Sequence, residues 1–162
     1  MPIATVSTED MITSEIREHL GAYFWNRCII TGAGSTGKTT YTQKLGRELG
    51  LEGFHAPNFE MTEEDTYMYL KYEYLICRWY PWDRFVYGKA EPILDTYTHD
   101  ILPVIFINEP FCEDKHLAQR GDFQKQRDRY LELADMMEAS GNFNRIILYT
   151  GGSDAYNHKR TP

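Results

Sequence analysis

Cys28-Ile29-Ile30-Thr31-Gly32-Ala33-Gly34-Ser35-Thr36-Gly37-Lys38-Thr39-Thr40 is the stretch on which the reading of this chain turns. The apolar run 28–31 reads as a buried strand, and it breaks into a glycine cluster. Residues 39–49 then have a helical pattern that Gly50 stops. Gly32, Gly37, Lys38 and Thr39 satisfy the Walker A pattern G-x-x-x-x-G-K-[ST], in the strand–loop–helix context that gives the pattern meaning. Glycines let the chain curl so that successive N–H groups face an anion, and the following helix adds its positive end. The expected phosphate cradle is therefore Gly32, Gly34, Ser35, Thr36, Gly37, Lys38, Thr39 and Thr40. Lys38 should reach the β- and γ-phosphates of ATP, and the Thr39 hydroxyl should ligate Mg²⁺.

Working outward, Ser7-Thr8-Glu9-Asp10 reads as a capping box that opens a short helix over 8–20. A brief strand is expected near 53–56, closed by Pro57. Thr62-Glu63-Glu64-Asp65 caps a helix running toward Trp79, with Pro81 as a poor continuation. Residues 82–87 and 103–108 read as further strands. Asp122 caps a long helix over 123–140 that Gly141 ends, and 145–149 is the last strand. Strands alternating with helices predict a three-layer α/β fold, a central parallel β-sheet flanked by helices, in one domain over 1–162. Such sheets place ligands at the carboxyl ends of their strands, so the loops at 32–38, 55–60, 83–84, 108–109 and 151–154 should share one cleft.

The 162 residues suffice for one core and not for two ordinary domains. The 42% apolar share and mixed charges are those of a globular chain. No run approaches the roughly 20 apolar residues of a membrane span, and the N-terminus lacks a basic segment followed by an apolar one. A cytoplasmic location is the expectation. Cys28, Cys77 and Cys112 form no C-x-x-C pair and read as free thiols. A net charge of -7 disfavours a partner such as long nucleic acid, though not a mononucleotide. The chain contains no guanine-selecting N-K-x-D tetrapeptide, which speaks against a switch GTPase.

Asp83-Arg84-Phe85 resembles the Asp-Arg-aromatic motif of thymidylate kinases and related phage-type deoxynucleotide kinases. Arg120-Gly121-Asp122-Phe123, followed by Gln126-Arg127-Asp128-Arg129-Tyr130, resembles their lid and the helix after it. The likeness covers about residues 27–150. It implies a P-loop nucleotide kinase fold with an Arg-bearing lid at about 111–127 and a flexible tail at about 155–162. It also implies an ATP- and Mg²⁺-dependent phosphotransferase, with a deoxynucleoside monophosphate as the small-molecule acceptor. By resemblance, Arg84 holds the acceptor phosphate and Asp83 sits near the metal or the acceptor. Arg120, Arg127 or Arg129 closes over the transferred group, and aromatics of the 62–79 helix, Tyr67 among them, stack on the acceptor base. A homodimer follows by analogy with the family alone. The chain departs from the family in its P-loop, where Ala33, Gly34, Ser35 and Thr36 carry no charge.

Other readings stand beside this one. Glu60 is placed where a base could activate a hydroxyl acceptor, on a nucleoside or on a modified base in DNA, or else it is a solvated loop acid. Asp83 and Arg84 could form a structural pair, and Glu109 could serve the metal through water or cap a helix. His55 is a ligand contact or nothing, and Gly151 to Asp154 could cradle adenine. A module that binds ATP without transferring phosphate is the reading from another class.

Overall fold

The computed structural model describes residues 2–34, 36–51, 54–55, 73–88, 90–95, 100–109 and 123–151. Among these residues the order is β1 (Ile3–Val6), α1 (Glu9–Ala22), β2 (Arg27–Gly32), α2 (Lys38–Leu49), β3 (Phe54–His55), β4 (Leu75–Cys77), α3 (Tyr80–Val86), β5 (Ile101–Phe106), α4 (Phe123–Ser140) and β6 (Ile146–Tyr149). The strands form one sheet in the order β1-β6-β5-β2-β4-β3, and every pairing is parallel.

Strands covered on both faces are apolar throughout, and β4, β5 and β6 are buried at every residue. On one face Cys28, Ile30, Val104 and Phe106 meet Ile12 and Ile16 of α1 and Tyr41 and Leu45 of α2. On the other, Ile29, Ile76 and Ile105 meet Trp82 and Phe85 of α3 and Tyr130, Leu133 and Met137 of α4. The result is the expected three layers. Pro103, which has no N–H, lies in β5 one residue before the pairing with β6 begins at Val104.

From β2 the chain passes through α2 toward β3 and β4, whereas from β5 it passes through α4 on the opposite face to β6. The carboxyl ends of β2 and β5 therefore diverge, and this divergence opens a crevice of the kind where parallel sheets bind ligands.

Two expected elements are corrected. Residues 82–87 do not form a strand; 82–86 belong to α3 and Tyr87 is its C-cap, while Pro81 stands in the first turn, where a missing N–H costs nothing. The helix expected over 62–79 cannot be continuous, because residues 75–77 are β4, paired to both β2 and β3. The edge strand β1 had no sequence signal and gains its order from pairing with β6. The helix over 123–140 has the expected ends. Thr8, not Ser7, caps α1 by accepting from the Met11 N–H, and with Met11 rather than an acid at the third position the cap is a plain one and not the expected box. No helix among the described residues is long and apolar enough to cross a membrane. Cys28 and Cys77 are free and buried, while Cys112, Pro57, the Asp122 cap, and the expected lid (apart from the first turn of α4) and tail lie outside the described residues.

Candidate functional site

Gly32 ends β2 at φ 144°, and a Cβ there would stand 2.3 Å from the Phe106 carbonyl oxygen. Only glycine lets β2 turn into the loop this close to β5. Ala33 N–H then donates to that same Phe106 oxygen, at 3.3 Å. The Ala33 carbonyl in turn accepts from Thr36 Oγ1 at 2.8 Å and from Lys38 Nζ at 2.7 Å. Gly37 takes the left-handed conformation at φ 92° as the N-cap of α2, and it supplies no side chain to cap that helix. The first-turn amides of α2 thus remain oriented into the crevice without a side-chain acceptor.

Lys38 is buried to 9% exposure. Burial lowers its ammonium to about 8; Cys77 and Asp83 work against that shift, and Arg78 adds to it. A cation held this deep against a single carbonyl suits an anionic ligand that would repay its desolvation. Thr39 and Thr40 are exposed on the first turn of α2, and Thr39 Oγ1 lies 4.0 Å from the Cys77 thiol. Among the described residues no cluster of three or more His, Cys, Asp or Glu could hold a metal by itself. One hydroxyl completed by phosphate oxygens and water is the donor set Mg²⁺ accepts, and Thr39 fits it.

Asn108 joins this loop to the rest of the sheet end. Its Nδ2 donates to Thr36 O at 3.0 Å and to Glu109 O at 3.3 Å, and its buried Oδ1 has no partner. Gly151, beyond β6, lies against the same side chain. The first turn of α4 is stitched on as well: Gly34 N–H donates to Gln126 Oε1 at 3.1 Å, and Arg127 Nε donates to Ile107 O at 3.1 Å.

Asp83 is 1% exposed, and its Oδ1 accepts from the Thr31 hydroxyl at 2.7 Å and the Tyr130 hydroxyl at 3.2 Å. Burial raises its carboxyl, and those hydroxyls together with Lys38 restrain the rise. It ties α3 to β2 and α4 directly beneath the loop. Arg84, the next residue, is half-buried with its guanidinium 5.9 Å from the Tyr80 ring. Arg129 packs over the Phe85 ring at 3.9 Å and donates to Phe85 O at 2.8 Å, so it fastens α4 to α3.

Sequence reasoning missed Arg78. It follows β4, and its N–H donates to Ile30 O at 2.6 Å. Its φ of 72° is left-handed, the one such non-glycine among the described residues. Its charge acts on both Lys38 and Asp83. The signal was a cation directly after the apolar Leu75-Ile76-Cys77, hidden because those residues were read as helix.

No family model matches the chain, and no curated protein matches it. Lys38, Thr39, Arg78 and the loop amides converge at the carboxyl ends of β2 and β4, with Asn108 and Glu109 at the end of β5. Ser35, Glu60, Tyr67 and Arg120 lie outside the described residues, as do the side chain of His55 and residues 152–154.

Proposed function

We propose that this chain is a P-loop phosphotransferase that uses ATP and Mg²⁺ and acts on a deoxynucleoside monophosphate, as its resemblance to the thymidylate kinases implies. The observation that carries the reading is the buried Lys38 ammonium beside an uncapped helix N-terminus at the crevice between β2 and β5. Lys38 and the loop amides hold the donor phosphates and offset charge on the γ-phosphoryl oxygens. Thr39 would hold the metal, which when bound neutralises charge shared by the β- and γ-oxygens.

In the transfer, an acceptor phosphate oxygen attacks the γ-phosphorus in line. The bond to the β–γ bridging oxygen breaks, so ADP leaves and the acceptor gains one phosphate. Arg84, and with it Arg78, would hold the acceptor phosphate, since a guanidinium fork suits phosphate. Asp83 acts through them, by fixing α3. Arg120 would close from the lid, with Arg127 anchoring the base of that lid at Ile107. Positioning and charge suffice for such a step, with no covalent intermediate.

The test sets labelled ATP against nucleoside monophosphates, nucleosides and DNA side by side, for the parent and for Lys38→Ala. Labelled diphosphate from a monophosphate, lowered at least about a hundredfold in Lys38→Ala, is expected. Product on nucleosides or DNA alone would replace the acceptor by a hydroxyl. ATP binding with no product on any acceptor would leave a binding module.

A further inference from the structure

At the opposite end of the sheet from the glycine loop, the turn between α1 and β2 displays three aromatic rings. Tyr23 is 59% exposed, Phe24 77% and Trp25 44%. The Tyr23 and Trp25 rings stack at 4.9 Å, and Phe24 meets Trp25 edge-on at 5.0 Å. Exposed apolar side chains on a loop ordinarily have freedom to fold away from water. These do not, because the turn is fixed by its own polar groups.

Asn26 N–H donates to Tyr23 O at 3.0 Å, and Asn26 Nδ2 to His19 O at 2.8 Å. Arg27 donates from Nη1 to Phe24 O and Asn26 O, at 3.2 and 3.1 Å. Trp25 Nε1 donates to Asp100 Oδ1 at 3.1 Å, which sets the indole plane. His19 Nε2 reaches Asp100 O at 3.0 Å and ties α1 to the same point. Rigid aromatics on a polar frame are what a binding surface needs, because little freedom remains to be lost on association.

We propose that this turn is a two-fold self-association surface, and that its occupant is the same turn of a second copy of this chain. The strand register supplies the argument. Asp100 precedes β5 on one side of β2; on the other side Tyr74 precedes β4, with the Arg27 guanidinium 4.1 Å over its ring. Across the patch the order is therefore acid, aromatic cluster, cation. A two-fold axis through the aromatics reverses that order in the partner and sets each Asp100 toward the other copy's Arg27. A polynucleotide or an anionic bilayer fits poorly, since the chain carries -7 and one flank of the patch is itself acidic. The surface lies away from the proposed phosphate site and does not depend on that reading.

Sedimentation velocity and light scattering across the micromolar range test it, without nucleotide. The parent is expected at twice the chain mass, and Phe24→Asp, an exposed position whose change leaves the fold's melting temperature in place, as a monomer. Arg27→Glu and Asp100→Lys should each be monomeric alone and pair when mixed, because each wrong contact becomes a right one in the mixture. A parent that stays monomeric throughout the range, or a dimer that survives Phe24→Asp, overturns the proposal.

Discussion

Gly151 packs so closely on Asn108 that a β-carbon on it would stand 2.3 Å from the asparagine Cβ. The amide of that asparagine holds the Thr36 carbonyl of the glycine loop at 3.0 Å. The end of β6 therefore bears on the loop after β2 through one side chain. Gly151→Ala, itself strained at φ 65°, should displace Asn108 and loosen the loop. ATP affinity measured by calorimetry should fall about tenfold, or about 1.4 kcal/mol. Asn108→Ala should cost a similar amount, and the double variant no more than either single one, since the two act through one contact.

Lys38 sets a pH dependence. Its ammonium, lowered to about 8 by burial, is charged in the free protein below that pH and neutral above it. A bound polyphosphate favours the charged form, so above pH 8 association must take up a proton. ATP affinity should be level below about pH 7.5 and fall by up to about tenfold per pH unit above about 8.5. Calorimetry in buffers of differing ionisation enthalpy should find close to one proton taken up at the alkaline end. Flat affinity across that range would show that the ammonium does not meet the phosphates.

Arg78 and Asp83 should separate under mutation. Arg78 holds a left-handed φ of 72°, which glycine adopts without strain. Arg78→Gly sets relief of that strain against loss of the side chain's own contacts and against a more flexible unfolded chain, so stability should stay within about 1 kcal/mol of the parent while turnover falls about a hundredfold. Asp83→Ala should instead cost about 2–4 kcal/mol of stability because Thr31 and Tyr130 lose their shared acceptor. Asp83→Asn keeps an acceptor there and should unfold within about 1 kcal/mol of the parent. Denaturant titration alongside initial rates distinguishes the two classes.

The helices and buried strands that bracket the glycine loop were legible in the sequence because local pattern and tertiary demand agree there. Residues 28–32 are apolar and end in glycine, and residues 123–140 have clear ends, so period and punctuation sufficed. The region of 75–86 was not legible. Leu75-Ile76-Cys77 is too short to show alternation and owes its strand state to pairing with β2 and β3. Pro81 is a poor continuation of a helix yet is accepted in the first turn of one, so it marks the start of α3 and not only a stop. Local pattern alone places Asp83 and Arg84 at a strand end, where the structure has them on a helix, and it hides Arg78. The link from Asn108 to Gly151 spans two strands and left no trace in sequence order.

The pairing of Ile3–Val6 with β6 has a practical side. Those few residues cover the hydrogen-bonding edge of Ile146–Tyr149, a strand buried at all four positions, with Thr150 N–H also closing onto Val6 O at 3.0 Å. Trimming them away would bare a row of amides and carbonyls on an apolar strand, an invitation to intermolecular sheet growth and precipitation. Affinity tags and fusions are for the same reason better kept clear of that border by a polar spacer.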